Sequence, residues 1–463
     1  MKIVLCIALA ALSAAPVFST EEAESETTQA ATEPEEPSSI TDEWRRVLLY
    51  GIDSEILEVV GSLQKYQETS LNPELAQVLE DTGDTQLKEE ILSFFAETEF
   101  GEATDYAVQI VADPFDVPDS LVTAALRYLA SVEAQDAAGD VLALAQQGTG
   151  AISRTAIRAL GSIGGAGHVA PLLEMLHDVY APSETRSEVI LALGELGSTD
   201  AVEPLIQLVA DPEEESVLRR YACDALGKIG DDRAVPVLKD AFSERDTWLR
   251  AYAVYALAQF DDPKTGELLM RALKDSFWRV RVSAAKGLAD LALGESVPIL
   301  TYKAERDPVM KVRVEAAKAL AAIGTEDAVT NLQEIVSSER TPLSLRIEAI
   351  QALVHQDLSS HLSFIMKTIE KDWEDPDSRL VERVCHMLSQ QESPKLRDPF
   401  DAMLSHPSFV IRIYGVRGIA RNGFQDLRAD LRALTAKGVH RSLRSTAVAA
   451  LETLGTAEEK TEK

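Results

Sequence analysis

The sequence predicts an all-α protein, a right-handed α-α superhelix of stacked helix pairs. Two observations carry this prediction. The first is a motif: Arg, then Ala three residues on, then Ala or Gly three further, then Leu. It reads Arg219-Arg-Tyr-Ala222-Cys-Asp-Ala225-Leu226 and returns from Arg250 to Leu257, Arg281 to Leu288, Arg313 to Leu320, Arg346 to Leu353 and Arg444 to Leu451. From Arg412 to Ile419 it returns with Gly415 at the first small position. The second is a period. The closing apolar residues, together with Leu160, Leu193 and Leu388, fall 31 to 35 residues apart. Such a period marks a repeat array, in which one helix pair cannot bury its apolar face alone and stacking builds the core.

The chain has 463 residues, more than one compact core needs. Hydrophobic residues make up 46% but aromatics only 6%, a mix that suits close helix packing. The formal net charge is −31. A nucleic-acid binder must replace phosphate counterions with Lys and Arg, so this charge argues against one. It also disfavours anionic membrane surfaces and favours basic partners.

Residues 1–19 have the shape of a signal peptide. Lys2 precedes an apolar run from Ile3 to Ala15 that is too short to span a bilayer comfortably, and Ser19/Thr20 offers a cut site. Cys6 stands too early to be a lipidated first residue. The expected location is therefore periplasmic or secreted. Residues 20–43 hold nine acids, no base, Pro34 and Pro37; an acidic, disordered linker is expected. Residues 457–463 are expected to fray.

Residues 44–150 are expected to hold divergent units, with anchors at Leu63, Phe95 and Leu129. Residues 151–456 hold the regular ones, for about thirteen in all. In each unit the Arg helix carries its small and apolar residues at three- and four-residue steps. Gly164, Gly197, Gly230, Gly324 and Gly455 stand where it should stop. A polar turn such as Ser198-Thr-Asp200 follows, and then a second helix with Pro171, Pro204, Pro236 or Pro298 near its start. Val381 stands where an Arg should, so a bend or irregular unit is expected near Leu388. Cys223 and Cys385 fall at similar apolar positions about five units apart, too far to bridge.

The Val/Leu-Arg-x-x-Ala-x-x-Ala-Leu-Gly helix and the Ala201-Val-Glu-Pro204-Leu helix resemble the short HEAT-like repeats first noted in phycobilin lyases. That resemblance implies a HEAT-like solenoid whose Arg helices line the concave side. It also implies that an Asp six residues before one Arg pairs with the Arg of a neighbouring unit, as Asp275/Arg281 and Asp307/Arg313 would allow.

Some HEAT-like proteins are enzymes, and the di-iron hydroxylases among them use His-Glu pairs. None of the seven His here precedes a Glu, and they show no metal-ligand spacing. No nucleophile elbow, phosphate loop or Cys-x-x-Cys is present. Gly161-Ser-Ile-Gly-Gly165 coincides with a turn between helices. The sequence thus points to a scaffold without catalysis, cofactor or metal, binding a protein partner along its concave face. The competing readings are a lyase or oxidoreductase relative with an unrecognised site, and an envelope-polymer binder. The last rests on charge: residues 395–450 carry ten bases and four acids, whereas residues 44–150 carry five bases and 20 acids.

Counting each Arg as position 0, positions +2 and +5 should face outward on the concave side. They bring Tyr221, Tyr252 and Tyr255 together on adjacent units, with Trp248 just before one helix. Tyr, Trp and Arg are enriched at interface hot spots. The expected docking strip is therefore Tyr221, Trp248, Tyr252 and Tyr255, bordered by Asp224, Lys286 and Lys318.

Overall fold

The computed structural model describes residues 40–178, 180–260 and 263–461. The leader and residues 20–39 of the acidic linker lie outside them. The described residues form 25 α-helices, from Ile40–Tyr50 to Arg441–Thr461, with seven short 3-10 turns and no strand. The first helix begins at Ile40, inside the span read as linker, and the last continues to Thr461, inside the span read as a frayed tail.

The thirteen period anchors all fall on alternate helices, once the run Leu343–Glu370 is counted as the two helices it holds. Leu63, Phe95, Leu129, Leu160, Leu193, Leu226, Leu257, Leu288, Leu320, Leu353, Leu388 and Ile419 are wholly buried. Leu451 is only partly buried. Anchor-bearing helices pack on one another from unit to unit: Ser183–Leu196 on Ser216–Ile229, then Thr247–Leu257, Trp278–Asp290 and Met310–Ile323. The partner helices, such as Val202–Ala210 and Val235–Phe242, touch along the stack far less. A stack with one closely spaced row curves toward that row, so the anchor helices form the inner, concave wall.

Small residues allow the close spacing. A Cβ on Gly194 would lie 2.8 Å from the Cα of Ala225, and one on Gly227 2.8 Å from the Cα of Ala256. Position +8 of one unit thus meets position +6 of the next. One layer further the roles exchange: Gly287 at +6 meets Ala258 at +8, and a Cβ there would lie 2.4 Å from the Ala258 methyl.

The repeat arginines tie the layers together. Arg250 holds Asp275 of the next unit through two bonds of 2.9 Å, and Arg281 holds Asp307 through two of 2.8 Å. Glu takes the acid's place in the Arg186–Glu214 and Arg219–Glu244 pairs. The pairing implied by the family resemblance is present, and each arginine adds a second bond. Arg219 donates to the Val209 carbonyl and Arg281 to those of Asp275 and Ser276. Among the described residues, Arg313, Arg346 and Arg412 keep only such carbonyl bonds, to Ala304, Val336 and Leu404.

Several local details differ from expectation. Gly197, Gly230 and Gly324 end their helices at φ 64°, 71° and 64°, where only glycine sits without strain. Gly164 ends its helix in extended backbone at φ −73°, and Gly455 lies inside the last helix. The irregular unit comes just before Val381: the run Leu343–Glu370 holds two helices joined at Asp357, with φ −162° and ψ 92°. Val381 is itself buried in the core. Cys223 and Cys385 are free and buried. Burial pushes each thiol up to about 12, which keeps both protonated and unreactive.

Candidate functional site

The ladder that joins the layers also aims the exposed aromatics. Asp246 caps the Thr247–Leu257 helix by accepting from the N–H groups of Trp248 and Leu249 at 2.8 and 3.1 Å. It also holds Arg220 of the preceding unit at 2.7 Å. Burial alone would raise the Asp246 carboxyl. The Arg220 guanidinium and the cap N–H groups outweigh burial and bring it down to about 2, so the cap stays charged. In the next unit Asp275 accepts from the Phe277 N–H at 2.7 Å while holding Arg250. Trp248 and the Phe277-Trp278-Arg279 turn are thus fixed from the same face.

These residues line an open groove across the inner wall, enclosing about 310 Å³. Its walls carry Trp248, Tyr252, Tyr255, Trp278, Arg279, Lys286, Lys311 and Asp224, over a floor of Ala251, Val282 and Ser283. The Arg279 guanidinium lies between two indoles, 4.2 Å from the ring centres of both Trp248 and Trp278. Phe277 meets the Trp248 ring edge-on at 5.5 Å, and Lys311 stands 5.9 Å over Trp278. Trp248 is 38% exposed and Tyr255 40%, so both offer apolar surface to a visitor.

The expected strip is assembled with one exception. Asp224, Trp248, Tyr252, Tyr255 and Lys286 share the groove. Tyr221 stands at its edge, meeting Tyr252 in a T-shape at 6.3 Å. Burial, then the neighbouring Tyr221 and Asp224, raises the Tyr252 phenol above its ordinary range, so it remains a hydrogen-bond donor. Lys318 is the exception. It lies a layer further on and turns to Glu315 and Glu348, at 3.9 and 3.7 Å, because those carboxylates flank it on its own helix and the next.

Trp278, Arg279 and Lys311 are additions that the +2 and +5 columns miss. A signal for Arg279 and Lys311 exists in the sequence, though not for Trp278, which stands at position −3. Position −2 lies four residues before +2, on the same helix face, and in three successive units it reads Trp248, Arg279 and Lys311. Of these three, only Trp248 belongs to the expected strip, where it counts as a lone aromatic before its helix.

Elsewhere the inner wall carries charged hollows. Glu89, Glu90 and Glu97 line a hollow near the start of the stack, and Arg417 and Arg421 line one near its end. Several of the C-terminal arginines are engaged within the fold: Arg412 by the Leu404 carbonyl and Arg421 by Glu392 at 4.0 Å. Among the described residues no group of three His, Cys, Asp or Glu is placed to hold a metal ion, and no helix is long and apolar enough to cross a membrane.

Comparisons with known proteins follow this architecture. Among solved structures, the chain is similar to the CpcE–CpcF complex of phycocyanin lyase from Nostoc sp. PCC7120, at 19% identity over 50% of this chain and 92% of that one, TM-score 0.35. It is similar to Kap95p from its complex with RanGDP, at 15% identity over 83% and 60%, TM-score 0.45. It is also similar to human deoxyhypusine hydroxylase, at 20% identity over 56% and 99%, TM-score 0.26. These are likenesses of architecture at low identity, and nothing about this chain's activity follows from them. No curated protein matches the sequence significantly. The profile of the spirochaete HEAT repeat proteins matches residues 48–450, nearly the whole stack, and the chain belongs to that family.

Proposed function

We propose that this protein is an exported scaffold that grips a protein partner along its concave wall and does no chemistry of its own. The observation that carries this reading is the groove. Two successive layers present Trp248, Tyr252, Tyr255 and Trp278 on one face, in a chain with few aromatics to spare. Large aromatic side chains left half-open on a rigid wall are the residues that dominate interface energetics. The inner wall also supplies length, since each added layer extends the surface a partner can follow. Export rests on the residues from Met1 to Ala15; N-terminal sequencing of the protein from the cell envelope tests it, and a mature chain that still begins at Met1 would contradict a cleaved leader.

The double substitution Tyr252→Ala, Tyr255→Ala tests the docking surface. Hot-spot truncations cost about 2 kcal/mol or more, so partner recovery in a pull-down should fall at least about tenfold. Circular dichroism should stay unchanged, because Tyr255 is 40% exposed and Tyr252 is only partly buried, at the margin of the core. Unchanged recovery with the fold intact would remove the groove from the interface.

A further inference from the structure

The groove's charge specifies what it receives. Arg186, Arg219, Arg220, Arg250 and Arg281 of the inner wall each hold a carboxylate. Arg279, Lys286 and Lys311 do not: among the described residues no carboxylate lies within 4.0 Å of any of them. In a chain with 76 acidic residues, three uncommitted cations in one groove reverse the local sign. The single wall carboxylate, Asp224, is held by Lys228 at 3.2 Å.

Arg279 is also immobilised. Two indole ring centres lie 4.2 Å from its guanidinium carbon, and among the described residues the N–H groups on its planar edge meet no carboxylate. That planar edge matches the two oxygens of a carboxylate, and a side chain already held in place loses little entropy on binding one. Small floor residues, Ala251 and Ser283, leave room for a main chain to pass between the aromatic walls.

We propose that this groove takes an extended acidic segment of the partner protein, one carboxylate on the Arg279 edge and flanking carboxylates answered by Lys286 and Lys311. The proposal rests on the scaffold reading above and names the chemistry of the partner. A highly charged polyanion or an anionic bilayer is a poorer fit, because the remaining surface of this acidic chain opposes it over a wide area. A short segment meets only the local field, since charges more than about 8 Å away are screened at physiological ionic strength.

The test uses the full chain from residue 20 and two labelled dodecapeptides. One is built of glutamate, serine and tyrosine; its twin carries glutamine at each glutamate. Fluorescence anisotropy at about 150 mM salt should show the glutamate peptide binding at least about tenfold tighter. Arg279→Gln should lose most of that preference, and Arg279→Lys should not restore it, because an ammonium lacks the planar edge. Equal binding of the two peptides, or an Arg279→Gln variant that binds like the parent, would overturn the proposal. So would phosphatidylglycerol vesicles or polyphosphate binding as tightly as the peptide and indifferently to Arg279→Gln. A chain starting at residue 40 that binds the peptide much more tightly would identify this chain's own acidic residues 21–36 as occupant and overturn the partner assignment. If the peptides fail while Tyr252→Ala, Tyr255→Ala still abolishes partner recovery, the acidic assignment falls and the scaffold stands. If both fail, both fall.

Discussion

Replacing Asp307 with alanine is expected to lower stability by about 3–5 kcal/mol, the range for removing one partner of a buried ion pair. Asp307 has no exposed side-chain surface, and its partner Arg281 is nearly as buried. Without the carboxylate, the guanidinium is left charged in the seam between two layers. It would keep only its bonds to the Asp275 and Ser276 carbonyls. Lys303, 3.3 Å from Asp307, would lose its partner as well. Removing both charges together, as Arg281→Met with Asp307→Leu, should recover most of the loss, since well-packed apolar replacements are often neutral. The exposed pair of Lys371 and Glu339 is the control: Glu339→Gln should leave the urea midpoint in place. Urea unfolding of the four proteins, compared by midpoint, checks the ranking.

The same pair sets a pH dependence. Burial alone would raise the Asp307 carboxyl, but the Arg281 guanidinium, the Val309 N–H and Lys303 bring it below its ordinary value. A carboxyl lowered in the folded state contributes stability above its unfolded value, near about 4. That contribution is lost as pH falls through the lowered folded value. The parent midpoint should therefore drop more steeply below about pH 4 than that of Asp307→Asn. Parallel acid limbs for the two proteins would mean that the pair is not what acid breaks.

The second large effect is a reversal of sign at glycine. In an open helix, Gly→Ala stabilises by about 1 kcal/mol. Gly61, with nothing within 4 Å of its added methyl, should show that gain. Gly194→Ala should instead destabilise by about 1–3 kcal/mol, the usual cost of overpacking. Its methyl would stand 2.8 Å from the backbone of Ala225, and backbone cannot turn aside as a flexible side chain can. Gly227→Val should be worse, forcing the Ser216–Ile229 helix away from Thr247–Leu257. Thermal melts of the three variants measure the contrast. A stabilised Gly194→Ala protein would show that the inner row is looser than its geometry.

Most of this architecture is legible in the sequence. A strict period places one buried residue per unit, and the anchors it selected all fall on the inner helices, twelve of them wholly buried. Even the upstream anchors Leu63, Phe95 and Leu129, which rest on spacing more than on motif, fall into the same row. The period could not show which units lack an acid for their arginine, because that depends on the neighbour's turn. Arg313 and Arg346 keep the motif but bond only to carbonyls. Nor could it locate the break at Asp357, which replaces a turn that in several other units carries a glycine. The groove was half legible. Positions +2 and +5 identify Tyr252, Tyr255 and Lys286, while Lys318 obeys the same rule and is drawn off by two carboxylates. Trp278 and Arg279 precede the motif, and only the stacking of adjacent units brings them onto Trp248.

The central claim is that the concave wall near Tyr255 is where a partner lies. A photo-crosslinking amino acid placed at Tyr255, and in a second strain at Tyr302, tests it in intact cells. Tyr302 is 62% exposed on an outer-row helix, so it samples the opposite wall at similar or greater exposure. Irradiation should give a discrete crosslinked species from position 255 and none from position 302, and Arg279→Gln should weaken the first. Equal crosslinking from the two positions, or a discrete species from position 302 alone, would contradict the claim.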